Sequence, residues 1–163
     1  MEIITLIKML FKSKPSDFFE VELMPMKHFP WWDYKFMMWC GRIIYREEKK
    51  AVIERYMQMS SGKRSKRHET MHLRQAENQA GDSWVRYYWR YFVEWIKGNP
   101  IIHPSSSAYY TIPYEVEAYA LEETEGAELY YDMDLLKSKY TLKDRKQTYR
   151  DHRDNWKSYV KTL

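Results

Sequence analysis

The sequence predicts an α+β fold, in which a small sheet packs against several helices. Three observations carry that expectation. Residues 41–46, Gly-Arg-Ile-Ile-Tyr-Arg, are short and rich in β-branched and aromatic side chains, as a strand requires. After them, apolar positions recur at helical spacing, and Gly81, Gly98 and Gly126 close three such segments. At 163 residues, 44% hydrophobic and 31% charged, the chain suffices for one domain with its own core, so residues 1–163 read as a single domain.

Taken in order, residues 3–11 are apolar and form a short helix or a first strand. Residues 12–17 turn around Pro15, and residues 18–23 alternate in part and suit a strand. Pro25, Pro30 and the pair Trp31-Trp32 mark an irregular connection, followed by a buried run at residues 36–40. Residues 41–46 are the best strand candidate. Residues 47–59 suit a helix with Val52, Ile53, Tyr56 and Met57 on one face, broken by Ser60-Ser61-Gly62.

The next helix, residues 66–80, contains His68-Glu69-Thr70-Met71-His72. Residues four apart on a helix lie one above the other, so His68 and His72 can hold one divalent metal. Glu69, one step round, is placed to take a proton from a metal-bound water. Two histidine ligands with a glutamate general base is the zincin arrangement. Glu69, Leu73, Ala76 and Ala80 form one stripe, and His68, His72, Gln75 and Gln79 the adjoining one. Arg67, Thr70, Arg74 and Glu77 form the polar face opposite. The histidines therefore border the buried side, where a ligand belongs. The basic run Lys63-Arg64-Ser65-Lys66-Arg67 reads as a solvated loop leading into this helix.

Gly81 ends the motif helix, and Asp82 or Ser83 caps the next. There Trp84, Tyr87, Tyr88, Tyr91, Phe92 and Trp95 recur at helical spacing, and only Arg86, Arg90, Glu94 and Lys97 make a polar stripe. Such a helix is expected to be buried on several sides, as the central packing partner of the motif helix. Residues 99–110 read as a loop containing His103. Thr111 as cap and Pro113 in the first turn start another helix, running to Glu123. Residues 129–163 have charged helical character, with Leu142, Tyr149, Trp156, Tyr159 and Val160 available for packing. The aromatic content, 17%, favours an aromatic-rich core over an aromatic-lined groove for an extended ligand.

Catalytic zinc usually takes three protein ligands and leaves one position open. The metzincin pattern would place Gly at 75 and His at 78, whereas this chain has Gln75 and Asn78. The third ligand must come from elsewhere. Glu115 and Glu117 lie about 200° apart around a helix, so they cannot both face one metal. Glu115 shares its face with Ala118, Tyr119 and Glu122, and the small Ala118 lets the motif helix approach. Glu117 shares its face with Tyr114 and Leu121, and its carboxylate is expected to reach solvent. Glu115 is the expected ligand, with Glu117, Glu122 and His103 left open and Glu94 a further rival.

His68-Glu69-x-x-His72-x-x-Gln75, the aromatic helix and Ile112-Pro113-Tyr114-Glu115-Val116-Glu117-Ala118 together resemble the small HExxH zinc metallopeptidase-like proteins of gluzincin type. The Glu115-to-Ala118 step also resembles the third-ligand helix of CaaX-processing membrane zinc proteases, but Tyr119 stands where that family has Asp. The resemblance covers about residues 40–125. It implies a zincin-like fold and a zinc hydrolase without naming a substrate. For the strand 41–46 the zincin resemblance implies an edge strand beside the cleft that pairs with substrate backbone, whereas the residues themselves read as plain sheet.

The expected function is Zn2+-dependent hydrolysis of a peptide or protein, with Glu69 as general base and Tyr109, Tyr110, Tyr119 or His103 stabilising the oxyanion. One rival is a non-catalytic zinc-binding interaction protein on the same scaffold. The other is a metal-free basic helical domain that binds nucleic acid. A net charge of +4 with acids and bases intermixed is too weak to favour the last. Cys40 is the single cysteine, so no internal disulfide forms, and its apolar setting reads as core. The apolar N-terminus begins with an acid and carries Lys8, unlike a signal peptide, and no segment is long enough to span a bilayer. The expectation is a cytoplasmic protein with no membrane partner.

Overall fold

A computed structural model of the chain describes residues 2–30, 34–98, 106–129, 139–140 and 142–163. It is α+β and mostly helical, with one three-stranded mixed sheet. Strand β1 (Glu22–Met26) runs parallel to β3 (Arg42–Arg46), and β2 (Met37–Trp39) pairs antiparallel with β3 on its other side. β3 is therefore the central strand, and its Ile43, Ile44 and Tyr45 are buried accordingly. Residues 41–46 are thus plain sheet, and the edge beside the cleft that the resemblance would assign to them belongs to β2.

The strand expected at residues 18–23 starts later, at Glu22. Phe18 lies over Gly41, where an added Cβ would sit 2.7 Å from its ring, and the Arg42 guanidinium covers the ring at 4.6 Å. Residues 18–21 thus pack against the end of β3, and pairing begins where the Glu22 N–H donates to the Gly41 carbonyl at 3.0 Å. Pro25, read as part of an irregular connection, sits within β1. An edge strand tolerates a residue that cannot donate.

Helix α1 (Glu2–Lys12) resolves the helix-or-strand ambiguity of the N-terminus. Its Leu6 packs with Met26, Phe29 and Ile44. Helix α2 (Lys50–Gln58) buries only Ile53, and Val52, expected on its inner face, is exposed. Helix α3 (Ser60–Gln79) begins at the Ser60-Ser61-Gly62 stretch expected to be a break. Gly62 lets α3 start so close to α2, since a Cβ there would lie 2.0 Å from the Tyr56 carbonyl oxygen. The basic run expected as a loop is therefore helical, and Arg64, Lys66 and Arg67 in it are engaged. Lys66 Nζ meets Glu20 Oε1 at 2.6 Å, and Arg67 Nε donates to the Glu122 carbonyl at 2.7 Å.

Gly81, at φ +61°, ends α3 in the left-handed region that favours glycine, and the Ser83 hydroxyl accepts from the Arg86 N–H at 3.4 Å. Helix α4 (Trp84–Lys97) fully buries only Trp84 and Tyr87. Val85, Trp89, Phe92 and Ile96 are exposed, so the helix expected to be enclosed on several sides is open along one. Helix α5 (Ser106–Tyr110) replaces part of the loop expected at 99–110, and residues 99–105, including His103, lie outside the described residues. Helix α6 (Pro113–Leu121) has Pro113 in its first turn as expected, but Ile112 and not Thr111 occupies the cap position. Helices α7 (Arg145–His152) and α8 (Trp156–Val160) follow. Trp156 and Val160 pack with Val116 and Tyr119 of α6, and the Arg145 guanidinium binds the Glu94 carboxylate on α4.

The main core joins Ile43, Leu73, Ala76, Trp84, Tyr87 and Ile112, from the sheet, α3, α4 and the start of α6. Cys40 is buried there, and burial pushes its thiol up to about 12, so it is no nucleophile. No helix among the described residues is long and apolar enough to cross a membrane.

Candidate metal centre

The spacing of α3 sets His68 above His72 on one face, and α6 packs across that face with Glu115 turned inward. Ala118, fully buried one turn on, keeps the helix–helix approach close. His68 Nε2 lies 3.3 Å from Glu115 Oε2, and His72 Nε2 lies 3.2 Å from Glu115 Oε1. One potential ligand atom from each of the three falls within 4.8 Å of the others, and all three residues are buried. Tetrahedral zinc with bonds of about 2.0–2.1 Å would hold its ligand atoms about 3.3–3.4 Å apart. Both histidine contacts have that length but end on different oxygens of Glu115, so an ion would draw the set, now within 4.8 Å, closer together.

The opposite ring nitrogens are held from behind. His68 Nδ1 lies 3.1 Å from Glu122 Oε2, a carboxylate oxygen that accepts the Nδ1 proton. The constraint on His72 passes through Gln75. The Gln75 amide nitrogen donates to the Tyr114 carbonyl at 3.0 Å and to Glu117 Oε2 at 2.6 Å. That fixes which way the amide points, so Gln75 Oε1 is the atom facing His72 Nδ1 at 2.8 Å. An oxygen there accepts, so Nδ1 carries a proton, and Nε2, which faces Glu115, is the nitrogen left for a metal once its own proton is displaced. The Tyr87 hydroxyl completes the group by donating to Gln75 Oε1 at 3.4 Å. Partners of this kind set the tautomer and ring orientation of a ligating histidine.

Electrostatics follow from burial and pairing. Burial alone lowers the basicity of His68, but the Glu115 and Glu122 carboxylates more than reverse it and hold the imidazole up to about 10. His72 is raised in the same way, mainly by Glu115. Burial works against the Glu115 carboxylate, yet the two imidazoles hold it well below the usual carboxylate range. In the metal-free chain, protons thus sit where a cation fits, and a metal that enters must displace them. Burial raises the Glu69 carboxyl, which makes it a better base at neutral pH.

Beside these residues opens a cleft of about 800 Å³. Glu69, His72 and Glu115 line it, as do Met37, Met38 and Trp39 of the β2 edge. Tyr91 of α4, Tyr109 and Tyr110 of α5 and Tyr119 of α6 line it as well. The Tyr91 hydroxyl donates to Glu115 Oε1 at 2.7 Å. Burial raises the phenols of Tyr91, Tyr109 and Tyr119, so all three remain O–H donors.

The structure therefore brings together His68, His72 and Glu115, with Glu69 beside them. It corrects the expectation for Glu117, whose carboxylate is 2% exposed and bound to Gln75 rather than at solvent. Glu122 reaches the far side of His68, and Glu94 is occupied by Arg145 and Lys97. Thr70, placed on the polar face, is buried, its hydroxyl donating to the Lys66 carbonyl at 2.9 Å. The residues missed from sequence are Gln75 and Glu117 as supports and Tyr91 as a contact of Glu115. The legible signal was that Gln75 continues the histidine stripe, since a polar side chain on a buried stripe needs a buried partner.

No family model matches the chain, and no curated protein and no solved structure matches it.

Proposed function

We propose that the chain is a zinc-dependent peptidase on a zincin-like scaffold of gluzincin type, with His68, His72 and Glu115 as ligands and Glu69 as general base. One observation carries this reading: two imidazole Nε2 atoms turn toward one buried carboxylate while their Nδ1 atoms are held by Glu122 and Gln75, beside an open cleft. A histidine pair serving only to pack would not leave both Nε2 atoms converging on the same acid. Zinc bound there supplies Lewis-acid polarisation of a scissile carbonyl and lowers the pKa of the attacking water to about 7.

The chain's own residues do the rest. Glu69 accepts the proton of the attacking water and returns it to the leaving amine. Tyr109 and Tyr119, protonated phenols on the cleft wall, are donors for the developing oxyanion. The outer edge of β2, which no described strand covers, offers N–H and C=O groups to an extended peptide, and Trp39 and Tyr88 wall the cleft beside it. Arg64, Lys66 and Arg67, three of the four cations in residues 63–67, are partnered by acids and a carbonyl of this chain, which supports the peptidase reading over a nucleic-acid one.

The test is metal analysis of protein purified without chelator, followed by peptide hydrolysis. About one zinc per chain and turnover abolished by Glu69→Gln are expected. Protein that takes up no zinc on reconstitution ends the reading, and zinc without turnover by any peptide leaves a binding protein instead.

A further inference from the structure

Two amphipathic helices form one exposed apolar face on the outside of the molecule. On α4, Val85, Trp89, Phe92 and Ile96 are spaced i, i+4, i+7 and i+11, and Trp89 is 65% exposed. On α1, Ile3, Ile4, Ile7 and Phe11 form a matching stripe, and Phe11 is 71% exposed. The stripes adjoin. Tyr88 shares its side of α4 with Val85 and Phe92 and stacks on Trp39 at 4.8 Å, while the Trp39 indole N–H donates to the Leu6 carbonyl of α1 at 3.0 Å. Leu10, three and seven residues from Ile7 and Ile3, packs into the same cluster as Tyr88. Both stripes therefore border the seam where α1 meets α4. Large contiguous apolar faces are uncommon on free surfaces and mark contact sites.

The charges beside this face choose the occupant. Each helix carries one acid, and both are already engaged. Glu2 accepts from the Lys27 and His28 N–H groups, and Glu94 holds Lys97 and Arg145. Lys8, Lys12 and Arg86 are exposed and make no ion pair among the described residues. Asp17 and Glu22 border the same depression as Lys8 and Lys12, but Asp17 accepts from the Lys14 N–H and Glu22 pairs with Arg42. An apolar stripe with Trp and Phe at its centre and cations outside any ion pair on its flank fits a lipid interface bearing negative charge.

We infer that the α1–α4 face docks on an anionic membrane surface, with Phe11, Trp89 and Phe92 entering the headgroup boundary and Lys8, Lys12 and Arg86 meeting lipid phosphates. The expectation of no membrane partner rests on the lack of a spanning segment, and lying on a surface needs none. The inference stands on the two helices alone and is independent of the metal centre.

Flotation of the full chain with phosphatidylcholine vesicles, with and without phosphatidylglycerol, tests it. The chain should float with the anionic vesicles at roughly tenfold or greater preference, and added salt should weaken the binding. Trp89→Ser/Phe92→Ser should abolish flotation while leaving circular dichroism and zinc uptake unchanged, since both side chains are exposed. Lys8→Gln/Lys12→Gln/Arg86→Gln should erase the preference for anionic lipid. Failure to float with either vesicle, equal binding to both, or flotation untouched by the Trp89/Phe92 variant overturns the inference. So does a dimer in vesicle-free sedimentation that this variant splits, because a second copy then covers the face.

Discussion

Helices α3 and α4 lie side by side and contradict their own compositions. α3 is rich in charged and polar residues, yet His68, Thr70, His72, Gln75 and Gln79 are buried in it. α4 is mostly aromatic and aliphatic, yet only Trp84 and Tyr87 are fully buried and four large apolar residues face outward. The difference is in partners. The polar side chains of α3 that form the candidate centre meet acceptors or donors on α4 and α6, which removes the cost of burying them. Nothing in the described chain covers the outer stripe of α4. Position in this fold is set by which neighbouring surface a helix face matches, and the overall share of apolar residues in a helix does not decide it.

The comparison breaks most directly at the histidines. His68→Ala/His72→Ala should abolish zinc uptake, read by metal analysis, because a lone carboxylate remains. Glu115→Ala should do nearly the same. Zinc retained by the double variant would show that the buried polar face of α3 serves packing alone.

A step smaller, Glu69→Gln should keep zinc and fold while peptide hydrolysis falls by about 10²–10⁴-fold. Loss of zinc in this variant would make Glu69 a ligand and move the base elsewhere.

Glu117 sharpens the comparison further, since it holds Gln75, which in turn holds His72. Glu117→Ala frees the Gln75 amide from its acid, so His72 loses the oxygen that orients it. Zinc affinity should fall by about 10–100-fold, the usual effect of removing an outer partner of a metal ligand. Glu117→Gln should restore most of it, because its amide oxygen can still accept from Gln75. A merely structural role would show as lost stability with zinc affinity unchanged in the folded fraction.

How far was this visible in the sequence? The histidine pair and the Glu115 face follow from helical geometry within single segments, and so does the central strand around Ile43 and Ile44. Glu117 does not. Helix phase correctly turned it away from Glu115, but what lies on that other side is Gln75 of α3, a contact between residues far apart in sequence. The start of α3 was missed because Ser60-Ser61-Gly62 carries break-forming residues, while the close approach of Tyr56 demands that glycine within a helix. The exposure of α4 was missed because periodicity reports an apolar face without saying whether anything covers it.

Acidity separates the metal-free and zinc-loaded chains. The His68 imidazole is raised from 6.5 to about 10 in the folded chain, so its protonated form favours folding. That contribution is complete below about pH 6.5 and is lost as pH rises toward 10. The melting temperature of metal-free protein should therefore decline over this window. The zinc-loaded protein should instead lose metal as pH falls, because protons and zinc compete for the same imidazoles. Parallel pH profiles for the two forms would argue against a shared site.

The smallest effect belongs to the outer face of α4 and tests the comparison from the other side. If apolar character alone placed these helices, making Gln75 apolar should help and making Trp89 polar should harm. The contacts predict the reverse. Gln75→Leu leaves the Glu117 carboxylate and His72 Nδ1 without their buried amide partner, a cost of about 1–3 kcal/mol in denaturant unfolding. Trp89 is 65% exposed and packs mainly beside Phe92 at 6.1 Å, so Trp89→Ser should shift stability by no more than about 0.5 kcal/mol. The apolar substitution should thus cost more than the polar one. A Trp89→Ser cost above that of Gln75→Leu would mean that something covers α4 in solution, and that its outer stripe is core after all.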